Sequence, residues 1–508
     1  MRSKFQRFIF NKWPLVTFQT IPFDHSENTT TIAIIGGGFS GAAVAYHLAT
    51  SPKSGAVRIV VFEPREKIGK GAAYDTADPV HRINVPAARM SLLPGEPGHF
   101  AQWLEANDAV ADDPAAVRPD GTVFPRRSVF GDYVYSSLRP LLSAGLVRHV
   151  HAQVTQVRKQ DGGWRITGSN GAELTADIVV IATTHPTPAP PAVLTHTLAA
   201  HPRFIADPTK AGALSAIRAD DRVLVVGNGL TSADVIASLK HQGHRGSIVA
   251  LSRRGLRSSG HAPFAQEPFG DFLTPPPKTA SELLARIRVA IRAAREQGLT
   301  WHPVLDQVRA QGTSLWKLLA VEERRRIVRH LRSYWDVHRF RIAPQVEDVL
   351  EEAAAAQRLE TLAASIHDVR LEGEVIEVSV RPKGSRKTSN RQFDAVVVTT
   401  GPAHGQILSS QNWLKQMADR HNLHVDPTGL GLACNDRSEA LSANLIADQS
   451  LLIVGPLARG HFGELMGLPQ VSEHAVFVAD RILEAIQPAE ARHDSVGHHS
   501  LVPSVLRA

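Results

Sequence analysis

Residues 32–35 form an unbroken apolar run, and small residues with helical spacing follow at 42–48. A short run of this kind, bounded by glycine, predicts a strand buried on both faces, as parallel sheets require. The pattern recurs at 222–226, again followed by glycines and a helical segment at 233–239. Further apolar runs at 58–62, 247–251, 176–184, 393–401 and 451–456 predict more strands of the same type. Residues 152–159, 163–168 and 172–183 read as a three-stranded meander, with turns at Asp161-Gly162 and Asn170-Gly171. The runs at 176–184 and 393–401 each follow a meander, which is where a chain of two nested domains would cross over. Residues 280–345 instead carry helical periodicity, in pieces at 283–295, 301–319 and 322–337. That block is longer than a strand-to-strand crossover needs, so it predicts a helical insertion over a cleft, closed by 335–339. Its polar groups either touch substrate or bond internally. A last helix is expected from Gln470 to Leu483. The stretch 70–91 is rich in Gly, Pro and short polar residues and predicts a long irregular segment of functional type.

The glycines between strand and helix carry the first chemistry. Gly36, Gly38 and Gly41 stand at G-x-G-x-x-G spacing, with Phe39 and Ser40 opening the helix. The first permits the tight turn, the second lets main chain approach a pyrophosphate, and the third lets helix and strand pack closely. The helix start aims free N–H groups and a positive dipole end at the phosphates. The next strand ends in Glu63, 63 − 41 = 22 residues beyond Gly41, close to the spacing of about 20 expected of an acid that binds a ribose. These features together predict a dinucleotide site.

A second site follows the strand at 222–226. Gly227, Asn228, Gly229, Thr231 and Ser232 belong to a G-x-G-x-x-S loop, in which serine is still small enough for close packing. The strand after it ends in Ser252-Arg253-Arg254, with no acid. A guanidinium in the place of the ribose acid fits a 2′-phosphate, so the expected ligand is NADPH over NADH. Gly455-Pro456 ends the late strand. In two-domain flavoproteins such a strand returns to the first sheet, and its following helix points at the flavin pyrimidine.

Composition narrows the partners. Apolar residues make up 43% and charged residues 21% of the 508 positions, as in ordinary globular proteins. Net charge is 56 − 49 = +7, spread without the dense patch that nucleic-acid binding would show. Cys434 is the only cysteine, which excludes a disulfide framework and the paired-cysteine chemistry of flavoprotein disulfide reductases. The 24 histidines show no metal-ligand spacing, so no metal is expected. No apolar stretch reaches the ~20 residues that span a bilayer. Residues 1–30 lack the features of a signal peptide, and a cytoplasmic location is expected. The sequence sets no oligomeric state.

The expected fold is α/β, two nested Rossmann-like, three-layer ββα dinucleotide-binding domains with a helical insertion in the second. The divisions are an extension at 1–30, an FAD-binding first segment at 31–185, an NAD(P)-binding domain at 186–394 with its insertion at about 280–345, an FAD-binding second segment at 395–486, and a flexible tail at 487–508.

Several motifs in order resemble the FAD/NAD(P)-binding protein family: Gly36-Gly37-Gly38-Phe39-Ser40-Gly41, Gly71-Ala72-Ala73-Tyr74, the segment from Asn84 to Ser91, Gly227-Asn228-Gly229, Ser252-Arg253-Arg254-Gly255, the segment from Trp335 to Arg339, and Gly455-Pro456-Leu457. The resemblance spans roughly 31–485 and extends more distantly to class B flavin monooxygenases and amine N-hydroxylases. It implies FAD and NADPH as cofactors and brings no substrate with it. Asn84-Val85-Pro86 resembles the monooxygenase stretch whose asparagine sits beside the flavin, which would make Asn84 catalytic. Pro456 departs from the Gly-Asp pair that grips the FAD ribityl chain in that group, so this contact must come from elsewhere.

The function expected is an FAD- and NADPH-dependent monooxygenase, in which NADPH reduces FAD and the reduced flavin activates O2 for transfer to a small organic substrate. An NADPH–flavin reductase or oxidase without oxygen insertion and a non-catalytic flavin redox sensor remain open. Candidate polar groups near the cleft are Arg126, His261, Asp336, His338, Arg339 and His461.

Overall fold

The computed structural model describes residues 29–55 and 57–486. The predicted tail, and all but the last two residues of the predicted N-terminal extension, lie outside the described residues. The strands in chain order are β1 (Thr30–Ile35), β2 (Val57–Phe62), β3 (Val147–Val150), β4 (Val154–Gln160), β5 (Gly163–Gly168), β6 (Glu173–Ala176), β7 (Ile178–Ile181), β8 (Phe204–Ile205), β9 (Val223–Val226), β10 (Ile248–Ser252), β11 (Leu359–Glu372), β12 (Val375–Pro382), β13 (Ser389–Phe393), β14 (Ala395–Val398), β15 (Glu439–Leu441) and β16 (Ala447–Ile453). They build a six-stranded sheet of order β15-β16-β7-β1-β2-β3, a seven-stranded sheet of order β13-β12-β11-β10-β9-β14-β8, and the meander β4-β5-β6.

In the first sheet β1 is central, parallel to β2 and to β7, with Ile32 aligned to both Ile59 and Ile178. Ile32, Ala33 and Ile34 are fully buried, and each isoleucine so placed is worth about 1.5–3 kcal/mol of transfer free energy. The helix Phe39–Thr50 lies against this sheet through Gly41, Ala42, Ala43 and Ala45. A β-carbon on Gly41 would collide with the carbonyl oxygen of Gly36, which accounts for the third glycine of the motif. The helix Gln470–Ile486 packs beside it, burying Val471, Ala475, Val478, Ala479, Ile482 and Leu483 on one stripe. On the opposite face sits the meander, with Trp164 and Trp413 buried between it and the helix Asn412–Asp419. Sheet, meander and helices give the three layers.

The second sheet repeats the plan with a variation. β11 is 14 residues long. Its first part pairs in parallel with β10 and its second part antiparallel with β12, so meander and sheet are one continuous surface.

Five expectations need correction. The single strand expected at 172–183 is two strands. Asp177 breaks it, its carboxylate accepting from Thr31 N–H at 2.7 Å, so β6 serves the meander and β7 the parallel sheet. β14 pairs with β9 and β8 in the second sheet, so the return to the first domain comes after Val398 and not at the 394/395 boundary. The insertion fills the chain between β10 and Ala343, because the helix Pro344–Ala355 packs on the helix Leu230–His241 as the ordinary crossover before β11. Within the insertion the helix expected at 301–319 is two, His302–Ala310 and Gly312–Leu318, and the helix expected at 322–337 contains a π-helical turn at Ile327–Leu331.

Among the described residues no helix is long and apolar enough to cross a membrane, and no group of three or more His, Cys, Asp or Glu could hold a metal ion.

Candidate functional site

The carboxyl end of β1 opens into a cavity of about 400 Å³ whose walls come from both segments of the first domain. Gly36, Gly38, Phe39, Ser40 and Glu63 line it, as do Lys70–Tyr74, Thr183–His185, Pro456 and Met466–Leu468. Gly36 turns the chain at φ +104°, and a β-carbon there would sit 2.6 Å from the Ala182 carbonyl oxygen. Gly38 ends in open space apart from Gly71 Cα at 3.5 Å, and no side chain caps the helix that starts at Phe39. The free N–H groups of that first turn face a cradle in which a β-carbon would stand where a phosphate belongs. Glu63 is 3% exposed. One of its oxygens accepts from Gly37 N–H at 3.0 Å, and the other accepts from Arg65 N–H at 3.1 Å and Arg65 Nη1 at 3.0 Å. The carboxylate is thus fixed at the rim of the glycine turn.

Two polar groups on the wall are buried with unsatisfied atoms: Thr183 Oγ1, and both ring nitrogens of His185. Buried polar atoms without partners are rare and mark a place where a ligand supplies the bond. The cradle therefore fits a dinucleotide with a polar ring system beyond its pyrophosphate, as FAD has.

The second loop has the same construction. Gly227 has φ +122°, and a β-carbon there would collide with Thr399. Gly229 has nothing within 4 Å of such a carbon, and the helix Leu230–His241 begins there uncapped. Asn228 Nδ2, Ser232 Oγ and Ser252 Oγ are buried and unsatisfied, while Thr231 is half-buried beside them. This loop fits a second dinucleotide. The two arginines diverge. Arg254 donates to Ser333 Oγ at 2.6 Å and lies over the Tyr334 ring at 5.3 Å, which ties it to the insertion. Arg253 is exposed, and among the described residues no ion pair or hydrogen bond engages its side chain.

Asn84 is half-buried and is not among the residues that line the cradle. Its main-chain oxygen is 3.2 Å from His261 Nε2 of the second domain. The expected irregular segment around it forms the seam between domains, where Ser238 Oγ also donates to Asp78 at 2.6 Å and Arg127 pairs with Asp234 at 2.8 Å. Of the other candidates, Arg126 pairs with Asp112 at 3.0 Å and His461 with Asp436 at 3.1 Å, both at the periphery. His338 lines a cavity in the insertion. Asp336 and Arg339 join a buried cluster that the sequence reading did not assemble: Arg332, Asp336, Arg339, Arg459 and Glu464, with His185 and His404 at its edge. Burial, then the neighbouring charges, push His185 down to about 4 and His404 down to about 3, so both rings are neutral near pH 7. Residues 457–463 read in the sequence as a connection after a strand. The signal that could have flagged Arg459 is a cation inside an otherwise apolar run beginning at Leu451.

His474 was also missed. It is 5% exposed, and its two ring nitrogens meet Gly455 N–H at 3.1 Å and Ser438 Oγ at 2.9 Å. Gly455 thereby holds Pro456 against the cradle, so proline stands on the wall without contributing a polar contact.

Residues 33–186 match the FAD-NAD(P)-binding family. No curated protein sequence matches the chain. Among solved structures, the reduced form of ornithine hydroxylase from Pseudomonas aeruginosa is 16% identical with a TM-score of 0.58, over 90% of this chain and 99% of that one. Kutzneria sp. 744 ornithine N-hydroxylase is 15% identical with a TM-score of 0.59, over 92% and 100%. L-lysine 6-monooxygenase from Pseudomonas syringae is 18% identical with a TM-score of 0.58, over 90% and 98%. The chain has the fold of FAD- and NAD(P)-binding flavin oxidoreductases.

Proposed function

We propose that the chain is an FAD- and NADPH-dependent monooxygenase acting on a small organic substrate. The observation that carries this reading is the pair of uncapped glycine loops, each with unsatisfied buried polar atoms nearby, set at the carboxyl ends of the parallel strands β1 and β9. When bound, FAD would supply hydride acceptance and O2 activation, and NADPH the hydride. The protein's own part is to bind, orient and exclude water. Gly36, Gly38, Gly41 and the first turn after Phe39 would hold the FAD pyrophosphate, and Glu63 its ribose. Gly227, Gly229, Thr231 and Ser232 would hold the NADPH pyrophosphate, and Arg253 its 2′-phosphate. Asn228 and Ser252 would donate at the loop's edge.

Placing a monooxygenase ahead of a thiol-disulfide reductase rests on Cys434, which is single and buried. Burial pushes its thiol well above the usual range, so it carries no exchange chemistry. The similar folds of the ornithine and lysine hydroxylating enzymes support the same choice. Anaerobic titration with NADPH, followed by admission of O2 in the presence of amines and carbonyl compounds, tests the reading. Bleaching of the flavin and substrate-dependent product formation are expected. Peroxide release equal to NADPH consumption with every compound would replace the monooxygenase by an oxidase.

A further inference from the structure

The helical insertion encloses a second cavity, about 550 Å³ and predominantly apolar, within the size of pockets that take drug-sized ligands. Leu283, Ile287, Leu305, Leu315, Trp316 and Trp335 form much of its wall. It shares a partition with the FAD cradle: Gly463 and Glu464 line the insertion cavity, and Met466, Gly467 and Leu468 line the cradle.

At the partition stands Arg459, 6% exposed and lining the insertion cavity. Its Nε and Nη1 have no hydrogen-bond partner. The carboxylates that act on it, Asp336 and Glu464, form their ion pairs with other arginines, although Asp336 Oδ1 is left without a partner. Asp336 pairs with Arg332 at 3.2 Å, and Glu464 pairs with Arg339. Four guanidinium groups thus surround two carboxylates, with Arg309 reaching Glu464 at 3.9 Å, and of the four Arg459 is the one with no ion pair to either. Desolvation, followed by Arg332, pulls it down to about 10, and it is still cationic at neutral pH. A buried, unpaired charge is costly to a fold and persists where a ligand completes it.

We propose that this cavity binds an amphipathic anion, with an apolar body among the insertion helices and a carboxylate or similar oxyanion on Arg459, and that this anion is the substrate. The assignment rests on the monooxygenase reading only in naming the ligand as substrate; the binding preference stands by itself. A guanidinium gives a carboxylate charge-assisted hydrogen bonds, and the Nε and Nη1 N–H groups left without partners here, on different edges of the group, can each donate one to an oxyanion. The same geometry disfavours a primary ammonium, which would meet an unpaired cation.

The test is calorimetric titration of the flavin-loaded enzyme with decanoate, 1-decanol and decylamine at pH 7.5. Decanoate is expected to bind at least about tenfold more tightly than decanol, from charge-assisted hydrogen bonds, and decylamine more weakly than either. Arg459→Met should erase the preference for decanoate while leaving decanol affinity unchanged, and Arg459→Lys should restore part of it. If decanol or decylamine binds as well as decanoate to the unmodified enzyme, the proposal is overturned without reference to any variant. If Arg459→Met leaves the decanoate preference intact and instead loses flavin, the charge serves the cofactor and the proposal also falls. Anaerobic bleaching by NADPH on the same preparation separates the two readings. Failure to bleach removes the monooxygenase but not the anion preference.

Discussion

The main-chain N–H of Gly455 donates to Nδ1 of His474 across 3.1 Å. An accepting Nδ1 puts the ring proton on Nε2, which donates to Ser438 Oγ at 2.9 Å. Protonating the ring would set Nδ1–H against the Gly455 N–H, two donors face to face. Burial accordingly pushes His474 down to about 3. Between this value and the unfolded value near 6.5, the unfolded chain holds a proton that the folded chain does not. Stability therefore falls as pH drops through this window. From pH 7.5 to 5.0 His474 alone should remove about 2 kcal/mol, and His185 and His404 act in the same direction. Urea unfolding at the two pH values should show the loss. His474→Gln should reduce the pH dependence and loosen flavin, because Gly455 is held less firmly against Ser40. A pH dependence identical to that of the unmodified protein would refute the assignment.

Arg253 and Arg254, adjacent in sequence, should respond differently to removal. Arg253→Ala is expected to raise the KM for NADPH by about 10- to 100-fold, the worth of charged hydrogen bonds to a phosphate, and to leave the KM for NADH nearly unchanged. Arg254→Ala should instead lower stability by about 1 kcal/mol, since it removes a bond to Ser333 and a cation–π contact with Tyr334. Steady-state kinetics with both nucleotides and a melting curve for each variant check the division. Equal losses for NADPH and NADH with Arg253→Ala would sink the 2′-phosphate role.

Gly38→Val should yield folded, colourless protein. A β-carbon at Gly38 meets only Gly71 Cα at 3.5 Å, an ordinary contact, so the polypeptide accepts the side chain while a pyrophosphate would not. Visible absorbance and circular dichroism of the purified variant decide the matter; retained flavin would contradict the cradle.

The two glycine loops were legible in the sequence because each glycine answers a local need, such as the turn at Gly36 or the helix contact at Gly41. The strands were legible for the same reason, as continuous apolar runs set their type. The domain crossing at Val398 was not, because β14 and β7 have like patterns and only pairing partners tell which sheet holds them. Arg459, Asp336 and Glu464 stand up to 128 residues apart in sequence (464 − 336), and their meeting depends on how the insertion folds back on the first domain. The role of Arg254 was masked by chemistry it shares with Arg253. Local spacing does not tell which of two adjacent guanidinium groups finds a hydroxyl and a ring from a distant helix.

Asn84 separates a structural role from a chemical one. The bond the structure gives it runs from its main-chain oxygen to His261 Nε2 at 3.2 Å, and the His261 ring lies edge-on to Phe124 at 5.0 Å. Replacing the side chain leaves both contacts in place, so Asn84→Ala should change stability by less than about 0.5 kcal/mol, as at positions without packing or buried bonds at stake. Flavin content should be unchanged as well. If the carboxamide reaches the reacting groups when both nucleotides are bound, turnover should fall at least about tenfold, in line with the loss of one positioned hydrogen bond. The rate of anaerobic flavin reduction by NADPH then shows whether the loss precedes O2 entry. Turnover and reduction rates both equal to those of the unmodified enzyme would leave Asn84 as part of the seam between the domains and remove it from the chemistry.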